Sequence, residues 1–533
     1  MEKQPSISEL LDSNQLFFSV RIDSYWKEKH RSNTMRKIKS VATFALVLMS
    51  YTLSAQSNAL LERDFWKTRP SLEVIAKKIN QGNDPSELNR FAFDPLIYAI
   101  LEKAPMETLL FLLNQEGNDV NKITHEGRTY VFWAAYKGNL ALMKHLVEKG
   151  AAVDIVDEHG YSLLNFAAVT GQQDSELYDF IFDQNAQVKE EKNNEGANAL
   201  LLLIPHLDNP EMSEYFEEKG LSIFDKDDLG NTSFNYAAAG GHIKMLTWLI
   251  EKGVQQKAIS RNGATAMHFA AEGTRRHKNS AEVFQFLKDQ SINPNTANRE
   301  GRTPLMIYAS DGEESRSIEF FLANGADPDQ ADNEGNTALM NAAKYNDLEI
   351  ISLLLAKSKN VNAANKKGHT ALTNAVYQNT PTVISALIGS GAEIDVRDKD
   401  GNNLVYYLAE SYFPSEPSAF EKKVELLESN GLKLTAEQGN GNTFFHLAAE
   451  QNQIELLKKA QALGLDVNAQ NSDGFTPLHV AAMKSENTET LKYLVSIGAD
   501  IALTTAFEES AHQLAQENEL LQTKEINLSF LQN

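Results

Sequence analysis

The sequence predicts an all-α solenoid in which pairs of short antiparallel helices stack side by side in one long array. Three observations predict this fold class. A nine-residue motif, best formed as GFTPLHVAA at residues 474–482, recurs in weaker copies along most of the chain; the copies are regularly spaced; and an apolar stripe of helical period follows them. With 533 residues, the chain is too long for one conventional core, so a repeat array is the expected solution.

The motif encodes a turn followed by a short helix. Thr476 is suited to cap that helix, because its hydroxyl accepts a hydrogen bond from a backbone N–H that has no other partner. Pro477 fits the first helical position, where a backbone donor is not needed. Ala481 and Ala482 have so little side chain that a neighbouring helix can approach closely. Each copy therefore offers a flat face to the next one.

The copies repeat with a nearly constant period. Five of the ten intervals between their opening glycines are 33 residues, and the others are 36, 34, 38, 34 and 40. The glycines stand at positions 127, 160, 196, 230, 263, 301, 335, 368, 401, 441 and 474, and Ala-Ala pairs begin at 134, 167, 237, 270, 342, 448 and 481. Period, motif and helix pattern together resemble the ankyrin repeat, which has a 33-residue period and a T-P-L-H-x-A signature.

The unit that opens at Gly127 shows the second half of a repeat. Leu140, Met143 and Leu146 lie on one face of a second helix, and Gly150 suits its C-terminal cap. The resemblance implies that a short β-hairpin finger leads to the next helix pair and that the pairs curve into an elongated concave surface. It implies about twelve ankyrin repeats over residues 92–509, an N-terminal capping half-repeat over 57–91 and C-terminal capping helices over 510–533.

Three units depart from the pattern. The unit at Gly196 contains Pro205, which we expect to shorten its first helix. The unit at Gly263 carries a basic loop at residues 273–280, and the unit at Gly401 carries an insertion at residues 411–418 that is too proline-rich to be helical. Insertions in repeat arrays map to loops on one face, which is often the binding face.

A segment resembling a targeting signal precedes the repeats. Residues 35–40 are basic, residues 41–49 are apolar, and small residues follow, which is the order found in a secretory signal peptide. We expect residues 35–56 to be a signal peptide directing export to the periplasm or exterior of a bacterium. Translation would then begin at Met35, and residues 1–34 would be a non-native or disordered extension. Two alternatives stay open: an uncleaved signal anchor, and a buried helix in a cytosolic protein.

Composition and motifs argue against nucleic-acid binding, metal sites and catalytic sites. A formal net charge of −22 argues against nucleic acid as a partner, and the lack of cysteine excludes thiolate metal sites and cysteine nucleophiles. His268, His446 and His479 occupy one motif position in separate repeats, where the resemblance implies hydrogen bonds to the capping threonine and neighbouring turns. The acidic loops before Gly401 and Gly474 lack carboxylates at the first and twelfth positions that calcium loops need. We expect no enzyme, no metal and no cofactor.

The candidate site is therefore a surface. The position after the motif histidine tends to vary in ankyrin repeats and lies beside the concave face, and large aromatic residues there are typical of binding hot spots. The candidates are Trp133, Phe166, Tyr236, Phe269 and Tyr407, with Tyr136 and Tyr377 three residues after that position and Arg275 and Arg276 in the basic loop. The alternative is that the rings only cover the root of the finger and that the basic loop is an ordinary solvated loop.

The sequence thus predicts a monomeric, non-catalytic scaffold in the bacterial envelope that binds an unidentified partner protein on its concave surface. Two alternatives are a secreted effector or toxin-associated protein that acts on another cell, and a scaffold tethered to the membrane by residues 36–55.

Overall fold

A computed structural model describes residues 58–184, 190–275, 277–522 and 526–532. The predicted extension at residues 1–34 and the predicted signal segment at residues 35–56 lie outside the described residues. None of the helices in the described ranges has the length and apolar content needed to cross a membrane.

The described chain is a solenoid of stacked helix pairs, so the predicted all-α solenoid is confirmed. The first helix of each pair packs against the first helix of the next pair, and this series is the first-helix row. Its members are α3 (Pro95–Leu101), α5 (Tyr130–Tyr136), α7 (Leu163–Val169), α9 (Ala199–Leu203), α11 (Ser233–Gly240), α13 (Ala266–Glu272), α15 (Pro304–Asp311), α17 (Ala338–Tyr345), α19 (Ala371–Gln378), α21 (Leu404–Glu410), α23 (Phe444–Glu450), α25 (Pro477–Lys484) and α27 (Ala511–Glu517).

The second helices form a parallel series, the second-helix row. It follows the short helix α1 (Arg63–Lys67) and comprises α2 (Leu72–Asn80), α4 (Met106–Leu113), α6 (Leu140–Glu148), α8 (Ser175–Gln184), α10 (Glu211–Glu218), α12 (Ile243–Glu251), α14 (Ala281–Asp289), α16 (Ser315–Ala323), α18 (Leu348–Leu355), α20 (Pro381–Gly389), α22 (Pro417–Ser429), α24 (Ile454–Ala462), α26 (Glu489–Ser496) and α28 (Glu519–Gln522). Within the described residues, α3 to α26 make twelve consecutive pairs.

Local sequence explains both rows. A first helix begins after a capping residue, and in α25 the Thr476 hydroxyl accepts a hydrogen bond from the His479 N–H while Pro477 fills the first position. Its Ala481 and Ala482 are fully buried between neighbouring helices. A second helix is amphipathic: α12, for example, buries Met245, Leu246 and Leu249 on one face. The core is consequently one continuous layer between the two rows.

The predicted β-hairpin fingers are wrong. The described residues contain no β-strand, and the only β-type pairings among them are isolated bridges such as the one between Val156 and Ser162. Each link is instead a tight turn: the Asp157 N–H donates to the Tyr161 carbonyl at 3.0 Å, and the Asp157 carboxylate accepts from the Tyr161 N–H at 2.9 Å. Neighbouring turns share a single backbone bond, from the Glu158 N–H to the Glu126 carbonyl at 3.0 Å, and one bond does not build a ladder.

Several turn glycines are required by close packing as well as by conformation. Gly474 has a φ of +75°, and a Cβ atom there would lie 2.6 Å from the backbone nitrogen of Ala506 in the next turn. A side chain at this position would therefore push adjacent turns apart.

Two departures in the sequence have local consequences. Helix α9 ends at Leu203, and residues 204–206, which include Pro205, form a single 3₁₀ turn, so the expected shortening is confirmed. The insertion at residues 411–418 is non-helical only as far as Glu416. Pro417 starts α22, because proline is tolerated at the first helical position, so the expectation of a wholly non-helical insertion is wrong.

Candidate partner-binding surface

The motif histidines are structural. The Thr265 N–H donates to Nδ1 of His268 at 3.1 Å, the Thr265 hydroxyl bonds the same nitrogen at 3.0 Å, and Nε2 bonds the Arg302 carbonyl in the next turn at 3.2 Å. His446 and His479 make the same three contacts, to Thr443 and Thr476 and to the carbonyls of Phe475 and Leu503. The role that the ankyrin resemblance implied for these residues is confirmed.

These contacts fix the protonation state of the ring. Because Nδ1 accepts a backbone N–H, Nε2 must carry the proton and donate to the next turn, and the ring is neutral. Burial lowers the pKa of His268 to about 4, and burial likewise lowers the pKa values of His446 and His479. A second proton on any of the three would break the bond to the capping threonine. The histidines therefore join repeats and are not placed for proton transfer.

Trp133, the largest predicted contact residue, is inside the array. Only 5% of its surface is exposed, and its indole N–H donates to the Thr124 hydroxyl at 2.9 Å. Phe93 from the preceding repeat lies against it with ring centroids 5.5 Å apart. The Trp133 ring therefore supports the turn above it and has little surface left for a partner.

Arg128 closes the same aromatic cluster from the turn side. Its guanidinium lies 4.3 Å from the centre of the Phe166 ring and 5.5 Å from the centre of the Trp133 ring. The same group pairs with the buried carboxylate of Asp157 through two contacts of 2.8 and 2.7 Å. Phe166 is as buried as Trp133, so an internal cation already occupies the faces that a partner would need.

The other residues at this motif position also pack within the array. The Tyr236 hydroxyl donates to Asp227 at 2.9 Å, and the Tyr236 ring lies 5.8 Å from the ring of Phe269; both rings are half-buried. Tyr407 is buried and donates to Asp398 at 2.5 Å. The premise that this position faces a groove therefore does not hold for Trp133, Phe166 and Tyr407.

The position three residues further along is more open. Tyr377 is 37% exposed at the end of α19, and Tyr136 is half-buried at the end of α5. Two other side chains at the ends of first helices are exposed: Met483, in the same register as Tyr136 and Tyr377, at 37%, and Tyr345, one residue outside that register, at 59%. Tyr345 closes α17, which packs against α19, so it lies on the repeat next to that of Tyr377. A signal for Tyr345 existed in the sequence, since it directly precedes the turn that ends its helix.

Exposed aliphatic residues also line several turns in the N-terminal half of the array. They occupy the same position, directly before the residue that closes each turn: Leu88, Ile123, Val156 and Ile259, which are 41%, 59%, 61% and 66% exposed. The equivalent residues of three later turns are Ala297, Ala331 and Ala364. The turn edge therefore carries its large apolar side chains toward the N-terminal end.

The predicted basic loop is less available than its sequence indicates. Lys278 pairs with Asp311 at 2.7 Å and donates to the Glu272 carbonyl at 2.7 Å, so it is tied to the two helices beside it. Arg275 is exposed, whereas Arg276 lies outside the described residues. Arg275 therefore stays a predicted contact residue.

Metal-binding geometry is not present in the part of the chain that the structure describes, since no three histidine, aspartate or glutamate side chains there converge. The arrangement is that of a stacked helical repeat whose recurring polar groups join one repeat to the next. Models of three consecutive ankyrin repeats match residues 96–190, 234–332, 274–362, 305–398 and 418–505, which together cover more than half of the chain. The chain belongs to the ankyrin repeat family.

Curated relatives match parts of the chain. The chain is 22% identical over 241 residues, 44% of its length, to an ankyrin repeat protein of Acanthamoeba polyphaga mimivirus, covering 30% of that protein. It is 27% identical over 227 residues, 43% of its length, to transient receptor potential cation channel subfamily A member 1 of Homo sapiens, covering 17% of it. It is 34% identical over 64 residues, 12% of its length, to a palmitoyltransferase of Candida glabrata, covering 8% of it. The chain thus spans less than a third of the length of each of these relatives, and ankyrin repeats, in general, serve as protein–protein interaction scaffolds.

Proposed function

We propose that this protein is a non-catalytic scaffold of the bacterial envelope that acts as a monomer and binds a partner protein along its first-helix row. Nucleic acid is not the partner in this proposal, because the net charge of −22 would repel a phosphate backbone. Family membership supports a protein partner, and the geometry of the first-helix row supports the place of contact.

One observation carries the choice of surface. Tyr345, Tyr377 and Met483 each project from the C-terminal end of a first helix and leave between a third and three-fifths of their side chains in solvent. The core does not need these exposed parts, because the apolar layer between the rows is already closed by alanine and leucine side chains. Large side chains exposed along one edge are characteristic of interaction surfaces.

The proposed location comes from the sequence. Residues 35–56 have the order of a signal peptide, which favours export to the periplasm or the cell exterior. A secreted effector and a scaffold anchored by residues 36–55 are the alternatives within this proposal. Fractionation separates the effector from the envelope scaffold by the protein's presence in culture medium. N-terminal sequencing of the exported protein separates cleavage near residue 56 from an intact anchor.

Affinity capture from the producing cells tests the function. A tagged chain should retain a partner, and Tyr345→Ala combined with Tyr377→Ala should reduce that capture at least tenfold while the helical circular dichroism spectrum stays unchanged. Val74→Ala, an exposed apolar side chain on the second-helix row, is the matched control and should have no effect. Equal capture by the double variant and the wild type would remove the first-helix row from the proposal.

A further inference from the structure

Five side chains on or just after three consecutive first helices form one patch with exposed and half-buried members, which we call the Glu410 patch. It consists of Tyr377 from α19, Tyr406 and Glu410 from α21, Phe413 from the loop after α21, and Glu450 from α23. The three helices pack in this order, so the patch crosses two repeat junctions. It lies on the part of the first-helix row where the insertion at residues 411–418 begins.

The apolar part of the patch is a phenyl ring on an ordered loop. Phe413 is 65% exposed, although the residues on both sides of it are fixed. The buried hydroxyl of Ser411 donates to the Leu408 carbonyl at 2.8 Å, and Tyr412 meets Phe420 of α22 edge to face at 5.3 Å. The Phe413 carbonyl accepts from the Glu416 N–H at 3.0 Å, which closes the loop. The loop thus holds an apolar ring in water instead of folding it onto the nearby core.

The polar part of the patch is crowded with negative charge. Glu410 is half-buried, it accepts a hydrogen bond from the side chain of Gln451, and Glu450 of the next helix lies close to it. Burial and the Glu450 carboxylate raise the pKa of Glu410 to about 7. Burial and the same two carboxylates raise the pKa of the Tyr406 hydroxyl to about 12. The carboxylates of Glu410 and Glu450, on adjacent helices, therefore repel each other and raise the pKa values of Glu410 and Tyr406 on α21.

We propose that the Glu410 patch binds a basic segment of a partner protein, with an arginine or lysine between Glu410 and Glu450 and an apolar side chain against Phe413. This inference rests on the proposed function and names the chemistry of the partner at that surface. A cation placed there would relieve the repulsion between the two carboxylates and form ion pairs with them. The acidic balance of the whole chain would steer such a segment toward it.

The probe is a short labelled peptide of alternating arginine and leucine, and binding to the full chain is measured by fluorescence anisotropy. We expect the double variant Glu410→Gln with Glu450→Gln to weaken binding at least tenfold and Phe413→Ala to weaken it roughly fivefold. The matched control is Glu211→Gln with Glu214→Gln, which removes two exposed carboxylates from α10 in the second-helix row and should leave the affinity within about twofold. A glutamate–leucine peptide should not bind. Circular dichroism checks that each variant is folded. If the double variant Glu410→Gln with Glu450→Gln unfolds, the result for Phe413→Ala alone decides the test.

Acidification gives an independent reading. Because Glu410 titrates near pH 7 in the free chain, only the ionised fraction can bind a cation, and the peptide should bind about tenfold more weakly at pH 6 than at pH 8. The Glu410→Gln variant should lose most of this pH dependence.

Three results would overturn the inference: no binding of the basic peptide, equal loss in the α10 control, or binding that does not change between the Gln pair and the wild type. If the tagged chain still captured a partner through Tyr345 and other first-helix residues, the inference would fail while the proposed scaffold function stood. If the tagged chain captured no partner while the peptide bound at the Glu410 patch, the proposed scaffold function would fail and the binding chemistry of the patch would stand.

Discussion

Acid should weaken the contact that His268 makes between two adjacent repeats. His268 is 3% exposed, and its Nδ1 accepts from the Thr265 N–H, so the folded chain holds the ring neutral. Burial lowers the pKa of His268 to about 4, below its ordinary value of 6.5. The unfolded chain therefore binds the proton first as the pH falls. The stabilisation is complete above pH 6.5 and is lost as the pH falls toward 4.

The size of the loss follows from this difference in pKa. Because the pKa of His268 is 6.5 in the unfolded chain and about 4 in the folded chain, acidification from pH 7.5 to pH 5 should lower the free energy of unfolding by about 2 kcal/mol. Glutamine in its place keeps an acceptor for Thr265 and a donor for the Arg302 carbonyl but cannot titrate. His268→Gln should thus lose less stability than the wild type on acidification.

Urea unfolding at pH 7.5 and pH 5, followed by circular dichroism, measures the difference. The wild type should lose about 2 kcal/mol more than His268→Gln over this interval, because His446 and His479 titrate in both chains and cancel. His145→Gln, a half-buried histidine outside the motif, is the control and should behave as the wild type. Equal losses in the wild type and in His268→Gln would refute the assigned proton position.

Two further predictions concern packing. Gly474→Ala should destabilise the chain by roughly 1–3 kcal/mol, because the new Cβ atom would lie 2.6 Å from the Ala506 nitrogen and the residue would have to keep a φ of +75°. The control is Gly389→Ala in α20, where a Cβ atom meets nothing within 4 Å and better helix propensity should raise the melting temperature. An unchanged melting temperature for Gly474→Ala would contradict the close approach of the turns. The second concerns Lys423, which is 6% exposed and donates to the Val376 carbonyl at 2.9 Å. Burial lowers the pKa of Lys423 from 10.5 to about 8, so the folded chain releases the proton first as the pH rises. The free energy of unfolding should therefore rise by about 2 kcal/mol from pH 7 to pH 9.5. Urea titrations of the wild type and Lys423→Met check this, and the rise should be absent in the variant.

Local chemistry in the sequence predicted what depends on residues three or four apart. The threonine cap, the proline after it and the histidine three positions later complete their bonds largely within one turn of chain, so the roles of Thr476 and His479 follow from the sequence alone. The shortening of α9 at Pro205 is of the same kind, since proline acts on its own helix.

Exposure could not be predicted in this way. Trp133 is buried because Phe93, Thr124 and Arg128 cover it, and the first of these belongs to the preceding repeat. The missing β-hairpins also depend on contacts between repeats. A β-ladder needs several backbone hydrogen bonds between neighbouring turns, and these turns exchange only one. Tyr345 went unnoticed because its register falls just outside the motif. A repeat motif thus fixes which residues join repeats but not which ones remain uncovered.

Site-specific photocross-linking in the producing cells tests the central claim most directly. A photoreactive phenylalanine analogue is placed at Tyr345, Tyr377 or Met483, and at Val74 and Leu348 as exposed control positions on the second-helix row. If the first-helix row is the partner-binding surface, the three first positions should yield one common cross-linked protein and the two controls should not. Cross-links that form only at the controls, or at none of the five positions, would contradict an interaction scaffold that binds along the first-helix row.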